Sequence, residues 1–190
     1  NFVWIPERSA IMFDVDKTAM VLVDVQGRLA QIMYEKQTLF NSLKTMIQCM
    51  QILEVPIIWM EQIPENLGAT APEISELIVN NTPLAKSSFS CCTDPGFKAA
   101  ITATGRTQVL LTGIEAHICV FQTADGLLSQ GFQVQVVSDC VSSRTKENKA
   151  IGIQRIVQAG GQITSLEMAV FELLKTARAE KFKQIVKLIK

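Results

Sequence analysis

Apolar positions along this chain follow two alternating rhythms. The stretch Ala19-Met20-Val21-Leu22-Val23 is uninterrupted over a strand's length, the pattern of a strand buried on both faces of a parallel sheet. Leu39, Leu43, Met46, Ile47, Met50 and Leu53 then recur at steps of three and four, which predicts an amphipathic helix. Residues 56–60 read as a second strand, and a Pro-, Gly- and Asn-rich connection over 64–72 leads to a short helix near 73–79. Asp94 and Pro95 supply an N-cap and a first helical position for a helix ending near Gly105. Val109, Leu110 and Leu111 form a buried strand, and a helix over about 118–129 stops before Gly131. The remainder predicts a strand over 132–138 with Asp139 at its carboxyl end, a helix over 146–159 closed by Gly160 and Gly161, a short strand over 162–164, and helices over 166–176 and 180–189. Strands and helices in this alternation predict an α/β fold, a three-layer α/β/α arrangement around an open, mostly parallel, six-stranded Rossmann-like sheet.

Composition narrows the picture. The 190 residues read as one domain over 1–190 with 1–17 as an N-terminal extension, a length that buries roughly 70% of the unfolded surface and can shield a pocket from water. Lys plus Arg and Asp plus Glu both number 18. With no basic patch interleaved with aromatics, nucleic acid is not an expected partner. No run approaches the roughly eighteen apolar residues of a membrane span, so no membrane partner is expected. Five cysteines without paired CxxC spacing read as thiols in a reducing compartment, the cytoplasm or, had a targeting segment been removed, the mitochondrion.

Three residues carry the candidate chemistry. Cys119 lies where the Val109 strand gives way to a helix, and unsatisfied N–H groups at a helix start favour thiolate over thiol. The alternative is a small buried apolar cysteine, as read for Cys49, Cys91, Cys92 and Cys140. Asp24 ends the first strand, so in a parallel sheet it shares the carboxyl edge with Cys119; its alternative is a turn former. Lys86 sits in an otherwise uncharged segment, where a solvated surface lysine is the competing reading.

The segments Leu22-Val23-Asp24-Val25-Gln26, Leu84-Ala85-Lys86-Ser87-Ser88-Phe89-Ser90 and Gly113-Ile114-Glu115-Ala116-His117-Ile118-Cys119-Val120 together resemble the isochorismatase-like cysteine hydrolases, a group that includes nicotinamidases and carbamoylsarcosine amidases. The wording of Trp59-Met60-Glu61-Gln62-Ile63-Pro64 is closest to isochorismatase domain-containing proteins. The resemblance implies the isochorismatase-like hydrolase fold and hydrolysis of a small amide, imide or carbamoyl C–N bond. Cys119 would attack, Asp24 would shuttle the proton, and Lys86 would hold Asp24 and stabilise negative charge. It also implies a cis peptide at Ile114-Glu115, with the backbone N–H groups of Glu115 and Cys119 as an oxyanion hole. Nicotinamidases bind a metal through an aspartate and two histidines after the second strand. The corresponding segment here has no histidine, so no metal and no cofactor are expected.

Weaker expectations put Gln26, Glu61, Phe89 and His117 at the substrate, and a homo-oligomer, dimer or tetramer, as the assembly. The apolar stripe Phe182, Ile185, Val186 and Ile189 would suit an interface, or would pack on the chain's own sheet. Two alternative functions stand: vinyl-ether hydrolysis by an aspartate acid, and a non-catalytic scaffold that keeps the fold.

Overall fold

The computed structural model describes residues 11–189; the first ten residues of the expected N-terminal extension lie outside them. The chain runs through β1 (Thr18–Val23), α1 (Gly27–Gln31), α2 (Lys36–Leu53), β2 (Ile57–Gln62), α3 (Pro64–Leu67), α4 (Pro72–Ser75) and β3 (Leu84–Lys86). It continues with α5 (Pro95–Thr104), β4 (Gln108–Ile114), a π-helical turn (Ala116–Val120) leading into α6 (Phe121–Ser129), β5 (Gln133–Ser142), α7 (Lys146–Gln158), β6 (Gln162–Thr164), α8 (Leu166–Leu174) and α9 (Phe182–Ile189). The strands pair in parallel in the order β3-β2-β1-β4-β5-β6.

Strand alternation builds two cores. Met20 and Leu22 of β1 point to one face, where α2, α8 and α9 pack, and Ala19, Val21 and Val23 point to the other, against α5, α6 and α7. The caps follow local chemistry: the side chain of Asp94 accepts from Phe97 N at the start of α5, with Pro95 at the first helical position. The α9 stripe is used internally, since Ile185 is buried and Phe182, Leu188 and Ile189 pack on the α2 side of the core. It therefore gives no support to an oligomer interface.

Two boundaries differ from the expected ones for tertiary reasons. Strand β5 runs on through Asp139 to Ser142, because the register shift opposite Leu111 and Gly113 lets pairing with β4 resume at Val141. Asp139 is thus inside the strand, accepting a hydrogen bond from Leu166 N at 2.8 Å. The helix expected from 118 starts at Ala116 as a π turn, and α4 is shorter than the expected helix near 73–79.

The sheet's centre depends on one glycine. Gly113 has φ +107°, and a Cβ there would lie 2.0 Å from the Val23 carbonyl oxygen of β1. Gly113→Ala is expected to cost more than about 4 kcal/mol, because both the backbone and the β1–β4 contact must give. A urea unfolding midpoint close to that of the unaltered protein would contradict this.

Candidate active site

The strand order reverses direction between β1 and β4, and the crevice beyond the carboxyl ends of the strands at such a point is where open α/β sheets hold ligands. Asp24 follows β1, Cys119 lies one turn beyond β4, and Lys86 ends β3. Asp24 takes a left-handed conformation, φ +51°, which turns the chain out of the strand and aims the carboxylate across the sheet edge. The peptide between Ile114 and Glu115 is cis.

Lys86 Nζ donates to Asp24 Oδ2 at 2.6 Å, to Gln62 Oε1 at 2.6 Å and to the Ser88 carbonyl at 3.1 Å. All three ammonium N–H bonds are therefore occupied. Asp24 Oδ1, in contrast, is buried with no hydrogen-bond partner. Asp24 and Cys119 line one cavity of about 100 Å³, together with Gln62 and Glu115. The rest of its wall is apolar: Leu29, Leu67, Phe89, Ile114 and Ile118. With Asp24 and Lys86 each 3% exposed and Cys119 8%, the group is nearly shut off from solvent.

Burial is the main reason the Asp24 carboxyl titrates above its ordinary value of 3.8, and the Lys86 charge opposes that rise. The Cys119 thiol is also pushed up, first by burial and next by the Asp24 charge, with Lys86 pulling the other way. This shift runs against the lowering expected from a helix start. Burial and the Asp24 charge both favour the thiol form of Cys119, which stands beside a carboxylate able to take its proton.

Several expected contacts lie elsewhere. Gln26 is buried but ties the end of β2 to the following loop: its Nε2 donates to Gln62 O and Gly68 O, and its Oε1 accepts from Gln62 N. Glu61 accepts from Thr70 N and Thr70 Oγ1, both at 2.7 Å, and Trp59 Nε1 donates to the same hydroxyl. His117 Nδ1 lies 3.0 Å from Ser143 Oγ on the far side of the π turn. None of the three lines the cavity; Phe89 does, and is 55% exposed at its mouth.

The structure also brings in Gln62, Arg144 and Gly152, which sequence reasoning passed over. Gln62 bridges Lys86 and the Gln26 staple, with Nε2 donating to Ser87 O at 2.7 Å. Glu115 is held by Arg144, whose backbone N and Nε donate to Oε2 at 3.0 and 3.2 Å. Gly152 lets α7 lie directly on the Cys119 turn, since a Cβ there would be 2.5 Å from the Ala116 carbonyl carbon. A glycine inside an expected helix was the one local signal for that contact. Larger clefts exist, among them one of about 380 Å³ lined by Val15, Glu54, Arg106 and Lys181. Val15 and Arg106 precede β1 and β4, so that cleft lies at the amino edge of the sheet, away from the three candidate residues.

A six-stranded parallel sheet with a buried Asp-Lys pair and a cysteine at its switch point defines an α/β protein whose candidate site lies at the carboxyl edge of the strands. The isochorismatase domain model matches residues 18–168, and the chain belongs to the isochorismatase family. It is 36% identical over 178 residues to the secreted isochorismatase effector Isc1 of Phytophthora sojae, covering 91% of this chain and 84% of that one. The solved structure described as MAR1 ribonuclease from Caenorhabditis elegans superposes with a TM-score of 0.88 at 33% identity, covering 94% of this chain and 92% of that one. The YcaC gene product of Escherichia coli, described as an octameric hydrolase of unknown specificity, has the same fold, with a TM-score of 0.89 at 22% identity over 94% of this chain and 89% of that one. No helix among the described residues is long and apolar enough to cross a membrane.

Proposed function

We propose that the protein is a cysteine hydrolase of the C–N bond in small amides, imides or carbamoyl compounds. The observation that carries this reading is the unpartnered, buried Asp24 Oδ1 in the same cavity as the Cys119 thiol, with Lys86 on the other carboxylate oxygen. Asp24 Oδ1 takes the thiol proton as sulfur adds to the carbonyl carbon, and returns it to the leaving nitrogen as the C–N bond breaks. A thioester remains on Cys119. Water, deprotonated by Asp24, adds to that thioester, the C–S bond breaks, and the acid leaves with the thiol restored. The developing oxyanion falls to the backbone N–H groups of Glu115 and Cys119. Lys86 holds Asp24 in place and stabilises its negative charge, its three donors being taken by Asp24, Gln62 and Ser88.

No metal enters this scheme. The segment after β2 carries no histidine, Glu61 is engaged by Thr70, and no group of three or more His, Cys, Asp and Glu among the described residues is placed to hold a metal ion. The ribonuclease description of the C. elegans relative is not carried over. The cavity is apolar and its buried cation is already paired, an unsuitable setting for a phosphodiester. A homo-oligomer is part of the proposal, supported by the octameric description of YcaC and by exposed apolar side chains such as Phe89 and Ile151. A reducing compartment, cytoplasmic or mitochondrial, is supported by five unpaired cysteines.

A panel of amides, imides and carbamoyl compounds, read by ammonia release, tests the reaction class. Release of a carbonyl product from a vinyl ether by the Cys119→Ala protein favours vinyl-ether chemistry by Asp24, and no turnover of any compound favours the non-catalytic scaffold.

A further inference from the structure

The charges around the cavity are all answered from within the protein. The Lys86 ammonium has no free N–H bond, its three being used by Asp24, Gln62 and Ser88. The second carboxylate on the wall, Glu115, is paired with Arg144, whose side chain is itself 52% exposed and lies outside the lining. An anion entering this space would lose its water, find no unengaged cation on the wall, and meet the oxygens of Asp24 and Glu115. The remaining surface, Leu29, Leu67, Phe89, Ile114 and Ile118, offers apolar contact alone. The volume, about 100 Å³, is well under the roughly 300 Å³ at which pockets for drug-sized ligands begin.

We propose that this site selects small, electrically neutral acyl compounds with an aliphatic or aromatic body seated against Leu67 and Phe89, and rejects carboxylate-bearing ones, dicarboxylate vinyl ethers included. The word acyl rests on the hydrolase reading; the rejection of anions does not. Glu115 is the selectivity element, because its charge holds the Arg144 guanidinium in a neutral pair at the rim instead of leaving it free to draw in a carboxylate.

Iodoacetamide and iodoacetate differ little in size and fully in charge, so their rates of alkylation at Cys119 in the whole protein, read by peptide mass spectrometry and divided by their rates with glutathione, measure the selection directly. The expected result is a normalised preference for iodoacetamide of about tenfold or more. In Glu115→Gln, with the same shape and Arg144 unpaired, the normalised iodoacetate rate is expected to rise about fivefold. Equal normalised rates in the unaltered protein overturn the proposal, as does a Cys119 that iodoacetamide does not alkylate. An iodoacetate rate unchanged in Glu115→Gln removes the selectivity role of that residue. Amide turnover without charge discrimination would leave the hydrolase reading and sink this inference; discrimination without turnover of any amide would do the reverse.

Discussion

Cys119→Ala is expected to lower kcat/KM for any hydrolysed amide on the order of 10⁴-fold or more, because no other described group on the cavity wall can form the covalent intermediate. The loss is chemical and not structural. Cys119 is nearly buried, yet trading a thiol for a methyl there removes little volume, so the expected stability change is about 1 kcal/mol. A melting temperature close to that of the unaltered protein, together with absent turnover, is the predicted combination. Cys91 offers no substitute nucleophile: it is fully buried, it does not line the cavity, and its backbone is anchored to Thr123 Oγ1 at 3.0 Å.

Asp24→Asn is expected to separate the two functions that the proposed reaction gives to one carboxylate. Proton delivery to the leaving nitrogen disappears, and turnover is expected to fall about 10³-fold. The Cys119 thiol nevertheless becomes more acidic, since the negative charge that helps raise it is gone while the Lys86 charge that lowers it stays. Ultraviolet absorbance of the thiolate, followed through a pH titration, is expected to move to lower pH in this variant; movement to higher pH would contradict the assignment.

In the proposed reaction the same carboxylate is expected to set the acid limb of activity. Asp24 must be ionised to accept the thiol proton, so activity is present above its raised pKa and lost as pH falls through it, at a midpoint above 3.8. Stability runs the other way in that window. The folded state holds the proton more tightly than the unfolded chain does, so this group weakens the fold as pH rises past 3.8 and does not weaken it as pH falls. Loss of activity as pH falls through the Asp24 titration is therefore expected without a loss of stability from this group.

The layered α/β arrangement was legible because strands buried on both faces leave continuous apolar runs, as in Ala19–Val23 and Val109–Leu111, and helices leave three- and four-residue steps. Asp24 and Cys119 could be set on one edge by the same logic, each standing just beyond such a run. The order of the strands could not be read, since it depends on which side each crossover takes. The roles of Gln26, Gln62 and Glu61 were hidden for a related reason: a buried polar side chain is defined by its partners, and theirs come from 9 to 62 residues away in sequence when Lys86–Asp24 is counted with them. Cys119 shows the limit of local reasoning most plainly. Its helix position argues for a thiolate, and only the packing around it reveals the desolvation that reverses the sign.

In the proposed reaction, sulfur on Cys119 carries the acyl group between two half-reactions. Rapid acid quenching during turnover of the best amide in the panel, followed by intact-protein and peptide mass spectrometry, tests it directly. A mass increase equal to the acyl group, located on Cys119 and absent from Cys119→Ala, is the predicted result. Full turnover with no adduct on that residue, and with the alanine variant equally active, would contradict it.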